Sequence, residues 1–264
     1  MSARARRRAP ADGKMSLGQH LIELRKRLFR AALAILLGAG AGWFLADRVW
    51  DQLRAPILII ANSHHASINY TNITGAFDVR LQVGMMLGIV LSSPVWFYQI
   101  FAFLVPGLNG RETRYVFGFV FSAIPLFLAG CVAGWLILPH IVELMAGFVP
   151  TQDSSFFDAK YYLDFVLKLI LATGIAFVLP VFMVLLNFVG LLSANAILKG
   201  WRWAVLAITL FTAIATPAAD PMSMFLLALP MVLLYFAALA VALAHDRTAA
   251  KRAAVPAEDV AAAP

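Results

Sequence analysis

The sequence predicts an all-α, polytopic membrane protein: six transmembrane helices in a concave bundle, with both termini cytoplasmic. Three observations lead there. Hydrophobic residues make up 62% of the 264 positions and charged residues only 13%, with a mean hydropathy of +0.82; soluble domains run at roughly 45–50% and about 25%. The apolar residues fall in blocks of about 15–30, separated by short polar turns, which is the pattern of spanning helices. Lys and Arg are also distributed unevenly. Sixteen lie in the amino-terminal region to Arg30, the 106–114 turn, residues 190–202 and the carboxy-terminal tail, against five elsewhere (Arg48, Arg54, Arg80, Lys160, Lys168). By the positive-inside rule the first set is cytoplasmic. The formal charge of +7 therefore reflects membrane sidedness and gives no argument for nucleic acid.

Residues 1–15 are basic and Pro/Ala-rich without apolar periodicity, and are expected to form a disordered tail. A basic segment before an apolar block can mark a cleaved signal peptide, but the block at 28–46 is too long for one and further spans follow. Met15 is an alternative start. Ser16 and Gln19 fit a capping box. Leu17, Leu21, Leu24 and Leu28 then form one helical stripe, with His20, Glu23, Arg25, Lys26 and Arg27 on the other face. This is read as a short interfacial helix entering the first span. On residue type alone, Glu23 is an i,i+4 partner for Arg27.

The six spans are placed at about 28–46, 77–105, 115–138, 161–189, 201–215 and 222–244, within a single membrane domain at 16–245. Residues 47–74 and 139–160 are expected as loops on the far side. His64 and His65 are adjacent, so they do not share a helix face, and no Cys or carboxylate sits at ligand spacing; no metal or other cofactor is expected there. The 15 residues at 201–215 give a helix of only about 22 Å against a hydrocarbon core of about 30 Å. The stretch 161–189 exceeds about 40 Å and must tilt or bend, and Pro180 is the expected place for a bend. Pro94, Pro125 and Pro230 interrupt other spans, and helices so unequal suggest a cupped bundle. Asp220 before Pro221 is an N-cap signal for the last span, and residues 246–264 are expected to be a disordered tail. The single cysteine, Cys131, permits no intrachain disulfide.

Enzyme signatures are absent: there is no HExxH, GxSxG or phosphate-binding glycine loop. Lys168 is the one candidate intramembrane charge, with Asp164 placed four residues earlier as a helix-pair partner. Two other carboxylates stand near the cytoplasmic interface. Glu112 opens the third span, where the helix dipole favours an anion, and Glu23 lies on the interfacial helix. As a facing pair they suit a ligand carrying two guanidinium groups, each of which fits a carboxylate as a fork.

The stretch His20-Leu-Ile-Glu-Leu-Arg-Lys-Arg27 resembles the HLxELRxR signature of the TatC family, the receptor component of the twin-arginine protein translocase. Phe103-Leu-Val-Pro106-Gly107-Leu108, followed by Glu112, is similar to that family's first cytoplasmic loop. The short final spans and the Thr216-Pro217…Asp220 turn agree, and the similarity covers roughly 16–245. The resemblance implies a receptor and scaffold in the cell inner membrane that binds the twin-arginine signal peptides of folded precursor proteins. It implies an oligomeric complex with single-span TatA-like and TatB-like subunits, driven by the proton-motive force. It assigns recognition to Glu23 and Glu112, and matches His20, Arg25, Phe103, Arg114 and Pro56 to further motif positions.

One position departs from the family. Where its fourth span usually has a polar residue in an F-E-x-P motif, this chain reads Phe177-Val178-Leu179-Pro180, and Gly174, Ile175, Val181 and Phe182 around it are apolar. Docking of the single-span partners is therefore expected to differ at Val178. A polytopic small-molecule transporter with a midplane site is the alternative reading; the prolines suit it, and the lack of repeats and of polar residues at that depth does not.

Overall fold

The computed structural model describes residues 17–64, 67–104, 110–147, 156–215 and 221–254. Among the described residues, eight helices follow one another: α1 (Leu17–His64), α2 (Gly75–Leu91), α3 (Ser93–Leu104), α4 (Gly110–Gly147), α5 (Ala159–Phe188), α6 (Ala194–Lys199), α7 (Trp201–Ala215) and α8 (Pro221–Ala254). Two three-residue strands, β1 (Ser67–Asn69) and β2 (Phe156–Asp158), pair in parallel. The four helices α1, α4, α5 and α8 are long and apolar enough to cross a membrane. The pair α2–α3, bent by 56°, makes a fifth candidate, and α7 is a shorter apolar helix.

Several sequence expectations need correction. Residues 47–64 do not form a loop: α1 continues through Pro56 to His64. Ala46, Trp50, Leu53 and Ile57 are all buried at helical spacing, so the packing stripe of the span runs on past Asp47. The charges that suggested a loop are paired: Arg54 with Asp51 at 2.6 Å, and Arg80 of α2 with Asp47 at 3.2 Å. The second span is not one rod. It breaks at Ser92, where Pro94 cannot donate into the ladder and Trp96 Nε1 donates to the Ile89 carbonyl at 2.8 Å. α5 is a single 30-residue helix that runs through Pro180. At its far end α8 runs to Ala254, beyond position 245 where a disordered tail was expected to begin.

Glycines set the helix crossings. A Cβ on Gly38 would meet the Gly88 carbonyl oxygen at 2.8 Å, and one on Gly42 would meet that of Gly84 at 2.6 Å. Each helix thus presents a small-xxx-small pair to the other, so that α1 and α2 touch backbone to backbone. Gly130 and Gly134 of α4 do the same against Thr173 and Gly174 of α5. The main core forms between these two layers, around Phe97, Phe101, Phe127, Leu163, Val166 and Val178.

Two polar clusters hold the ends. On the side away from the amino terminus, Asp158 caps α5 through the Lys160 and Tyr161 N–H groups at 2.9 and 3.0 Å and accepts from the Thr71 hydroxyl. Tyr162 OH donates to the Leu53 carbonyl there at 2.6 Å. At the amino-terminal side, Asp246 of α8 accepts from Asn187 Nδ2 at 3.0 Å and from Ala194 N at 2.8 Å. His245 stacks on Phe188 with ring centroids 4.0 Å apart, and Phe188 in turn meets Phe119 near the start of α4.

Candidate functional site

The amino-terminal turns of α1 are oriented the opposite way from a helix lying on a water-facing surface. Leu21 and Leu28 of the leucine stripe are 64% and 66% exposed, while His20, Glu23 and Arg27 are half-buried. In a bilayer this is the consistent arrangement: the apolar stripe meets lipid and the polar stripe turns toward neighbouring helices. The polar stripe is continuous with the packing stripe that later buries Gly42, Ala46 and Trp50.

That orientation brings two residues together from separate motifs. His20 of α1 stacks on Phe103 of α3, with ring centroids 4.4 Å apart and planes at 22°. The contact fixes the carboxy-terminal end of α3 against the first turn of α1. Glu23 lies one turn along the same stripe. Its Oε1 accepts from Arg27 Nη2 at 2.6 Å and Nε at 3.0 Å, so the i,i+4 pair read from the sequence is formed. Gln99, one turn before Phe103, is buried, and among the described residues its Oε1 has no hydrogen-bond partner.

The other sequence-assigned positions separate into four groups. Arg25 is exposed and lies off the His20–Glu23–Arg27 stripe. Glu112 and Arg114 belong to the first turns of α4, and their side chains lie outside the described residues. Since α4 begins six residues after α3 ends, its start is within about 20 Å of Leu104. Pro106, Gly107, Leu108 and Asp220 lie outside the described residues, as do Ser16, Thr216 and Pro217. Pro56 is buried within α1.

Val178 is 7% exposed and belongs to the main core cluster. Pro180, two residues on, lines an apolar groove of about 430 Å³ between α4, α5 and α8, together with Ser122, Val184 and Leu234. The polar residue nearest in this part of α5 is Thr173, fully buried, whose hydroxyl donates to the carbonyls of Leu169 and Ile170 of its own helix. Among the described residues, no ion pair joins Asp164 to Lys168, and the Lys168 side chain is exposed.

Sequence reasoning had the paired signature residues but missed their facing. The signal was present in the spacing of His20, Glu23 and Arg27, which extends to Gly38, Gly42 and Ala46 along one stripe. It also missed Gln99 and both small-xxx-small pairs, which can be read directly at Gly38/Gly42 and Gly84/Gly88.

Comparison with known proteins gives a consistent result. The profile of the family described as Sec-independent protein translocase protein (TatC) matches residues 19–230. A Sec-independent protein translocase protein TatC of Xylanimonas cellulosilytica is 43% identical over 250 residues, covering 93% of this chain and 91% of the relative. The chloroplastic counterpart of Arabidopsis thaliana is 33% identical over 232 residues, covering 86% and 66% respectively. A crystal structure described as the twin arginine translocase receptor TatC in DDM superposes with a TM-score of 0.71 at 27% identity, over 84% of this chain and 99% of that one.

Proposed function

Because the chain belongs to the TatC family of Sec-independent protein translocase proteins, we propose that it is the receptor and scaffold subunit that binds twin-arginine signal peptides of folded precursor proteins. It is a component of a protein translocase, and its role in this reading is binding and positioning, not catalysis. The observation that carries the reading is the packing of two signature segments into one interface: His20 on Phe103, with Glu23 on the same stripe. A carboxylate turned toward a neighbouring helix and set beside a stacked aromatic pair suits a guanidinium, which takes a forked hydrogen bond and tolerates an apolar surround better than an ammonium.

In this reading α1, the α2–α3 pair, α4, α5, α7 and α8 make six crossings of the cell inner membrane, with both termini in the cytoplasm. Support comes from the Lys and Arg distribution and from the contacts that join the His245–Asp246 end of α8 to the end of α5, whose Phe188 meets Phe119 of α4. α7, at 15 residues, crosses where the bilayer is locally thin or sheltered. Glu112, in the first turn of α4, supplies the second carboxylate. Arg25 and Arg114 are motif positions that act at the rim. TatA-like and TatB-like single-span subunits complete an oligomeric complex driven by the proton-motive force.

The test is site-specific crosslinking from positions 23 and 112 to a twin-arginine precursor. Crosslinks that disappear with a Lys-Lys precursor support the assignment, and equal crosslinking to both contradicts it. Substrate-dependent uptake by the lone protein in proteoliposomes would favour the transporter reading instead.

A further inference from the structure

Glu23 is already occupied in this chain. Arg27, one turn on, directs both Nη2 and Nε to the same oxygen, Oε1, at 2.6 and 3.0 Å. The pair is largely enclosed, with side chains 20% and 28% exposed for Arg27 and Glu23. The second oxygen, Oε2, accepts nothing among the described residues. The chemical group holding Glu23 is thus the same guanidinium that a twin-arginine peptide would bring to it.

We propose that Arg27 is an intramolecular competitor for the peptide arginine: it holds Glu23 in a closed pair that the ligand must displace, and so sets the affinity threshold of the receptor. The inference rests on the reading of Glu23 as a recognition carboxylate and adds its regulation. Opening the closed pair offsets part of what the peptide arginine gains on Glu23, and only the remainder appears as affinity. Net binding then depends on the remaining contacts, which a second arginine at another carboxylate provides. The displaced Arg27 keeps its charge in water or at lipid phosphates by extending its aliphatic stem.

The competitor has a defined thermodynamic signature. A closed pair lowers the apparent affinity of every ligand that needs Glu23 by the same factor, the fraction of open receptor. Arg-Arg and Lys-Lys peptides are weakened alike, so their ratio is unchanged while the weaker one falls below its working concentration. For a partly enclosed i,i+4 pair the factor is about three- to tenfold.

The experiment measures binding of fluorescent peptides, carrying Arg-Arg or Lys-Lys before an apolar stretch, to the full chain in lipid nanodiscs. Arg27→Gln should tighten both peptides by the same factor of about three to ten, and Arg27→Lys, which keeps the charge but loses the fork, should tighten them less. Adding Arg27→Gln to Glu23→Gln should give no gain, because the effect passes through Glu23. Unchanged or weaker binding in Arg27→Gln, or the same gain in the double variant, would overturn the competitor; the second result would assign the gain to relief of charge repulsion. Should Arg27→Gln melt early, Arg27→Lys decides, and no gain there overturns the proposal. Glu23→Gln separates the two claims: if it binds the Arg-Arg peptide as tightly as the parent, the recognition reading itself fails. If Glu23→Gln weakens binding and Arg27→Gln does not tighten it, only the competitor fails.

Discussion

Replacing Gly88 by alanine should destabilise the bundle although alanine is the better helix former. A Cβ at Gly88 would stand 2.6 Å from Ala39 N, 2.7 Å from the Ile35 carbonyl oxygen and 2.9 Å from Ala39 Cα. All three are backbone atoms of α1, so no rotamer change relieves the contact. The helices must separate by roughly 0.7 Å or more, and a gap of 0.5–1 Å already forfeits a quarter to a half of each dispersion contact. Overpacking of this kind costs about 1–3 kcal/mol, offset by about 0.5–1 kcal/mol of helix propensity, which leaves a net loss of roughly 0.5–2 kcal/mol. Gly40→Ala is the internal control: it lies in the same crossing region, and a Cβ there meets nothing within 4 Å. It should be neutral or stabilising by up to about 1 kcal/mol. Thermal unfolding of the two variants in one detergent reads the difference, at roughly 2–4 °C per kcal/mol. The separation should also loosen the stack of His20 on Phe103, since α2 and α3 are joined at Ser92. If Gly88→Ala melts at or above Gly40→Ala, the backbone-to-backbone crossing is wrong.

Further outcomes follow from the same geometry. The Thr71 hydroxyl, then the Tyr161 and Lys160 N–H groups, hold the Asp158 carboxyl below its usual range. Its contribution to stability is therefore complete above the unfolded value near 3.8 and is lost as pH falls through the lower folded value. Asp158→Asn should flatten the acid limb of a Tm-against-pH profile, and an unchanged limb would remove the role of this cap. Val178→Glu should alter crosslinking to single-span partners and lower export. Because Val178 is enclosed in the core, even the neutral acid should cost about 1–3 kcal/mol. Unchanged crosslinking, export and melting would end the case for that position.

The apolar blocks were legible because membrane helices carry their signal in local composition; 201–215 and the start of α5 needed nothing more. Residues 47–64 were misread because Asp47, Asp51, Arg54 and Pro56 looked like a solvated turn. Their pairing depends partly on Arg80, which the chain brings back only after the next helix begins. The parallel pairing of β1 with β2 joins segments nearly ninety residues apart, and three-residue strands leave no periodicity to read. At the site, residue types were legible and direction was not. In water the leucine stripe of α1 would be the buried face; in lipid the rule inverts, and Glu23 lies on the stripe whose His20 stacks on α3, with Arg27 paired to it. The Val178 departure was visible as a residue difference, but its burial in the core depends on how α4 and α5 cross at Gly130, Gly134 and Gly174.

In the proposed function, carboxylates at the amino-terminal side select a paired guanidinium ligand. The most direct measurement is equilibrium binding of an Arg-Arg signal peptide, with a Lys-Lys peptide as reference, to the full chain and to Glu23→Gln and Glu112→Ala. Removing one partner of a charged hydrogen bond costs about 1.5–3 kcal/mol, so Glu112→Ala should weaken the Arg-Arg peptide by more than about tenfold; Glu23→Gln, whose gain the Arg27 pair already offsets in part, should weaken it by less, and both should narrow its advantage over Lys-Lys. Affinity and Arg-over-Lys preference that survive both substitutions intact would rule out recognition through these carboxylates.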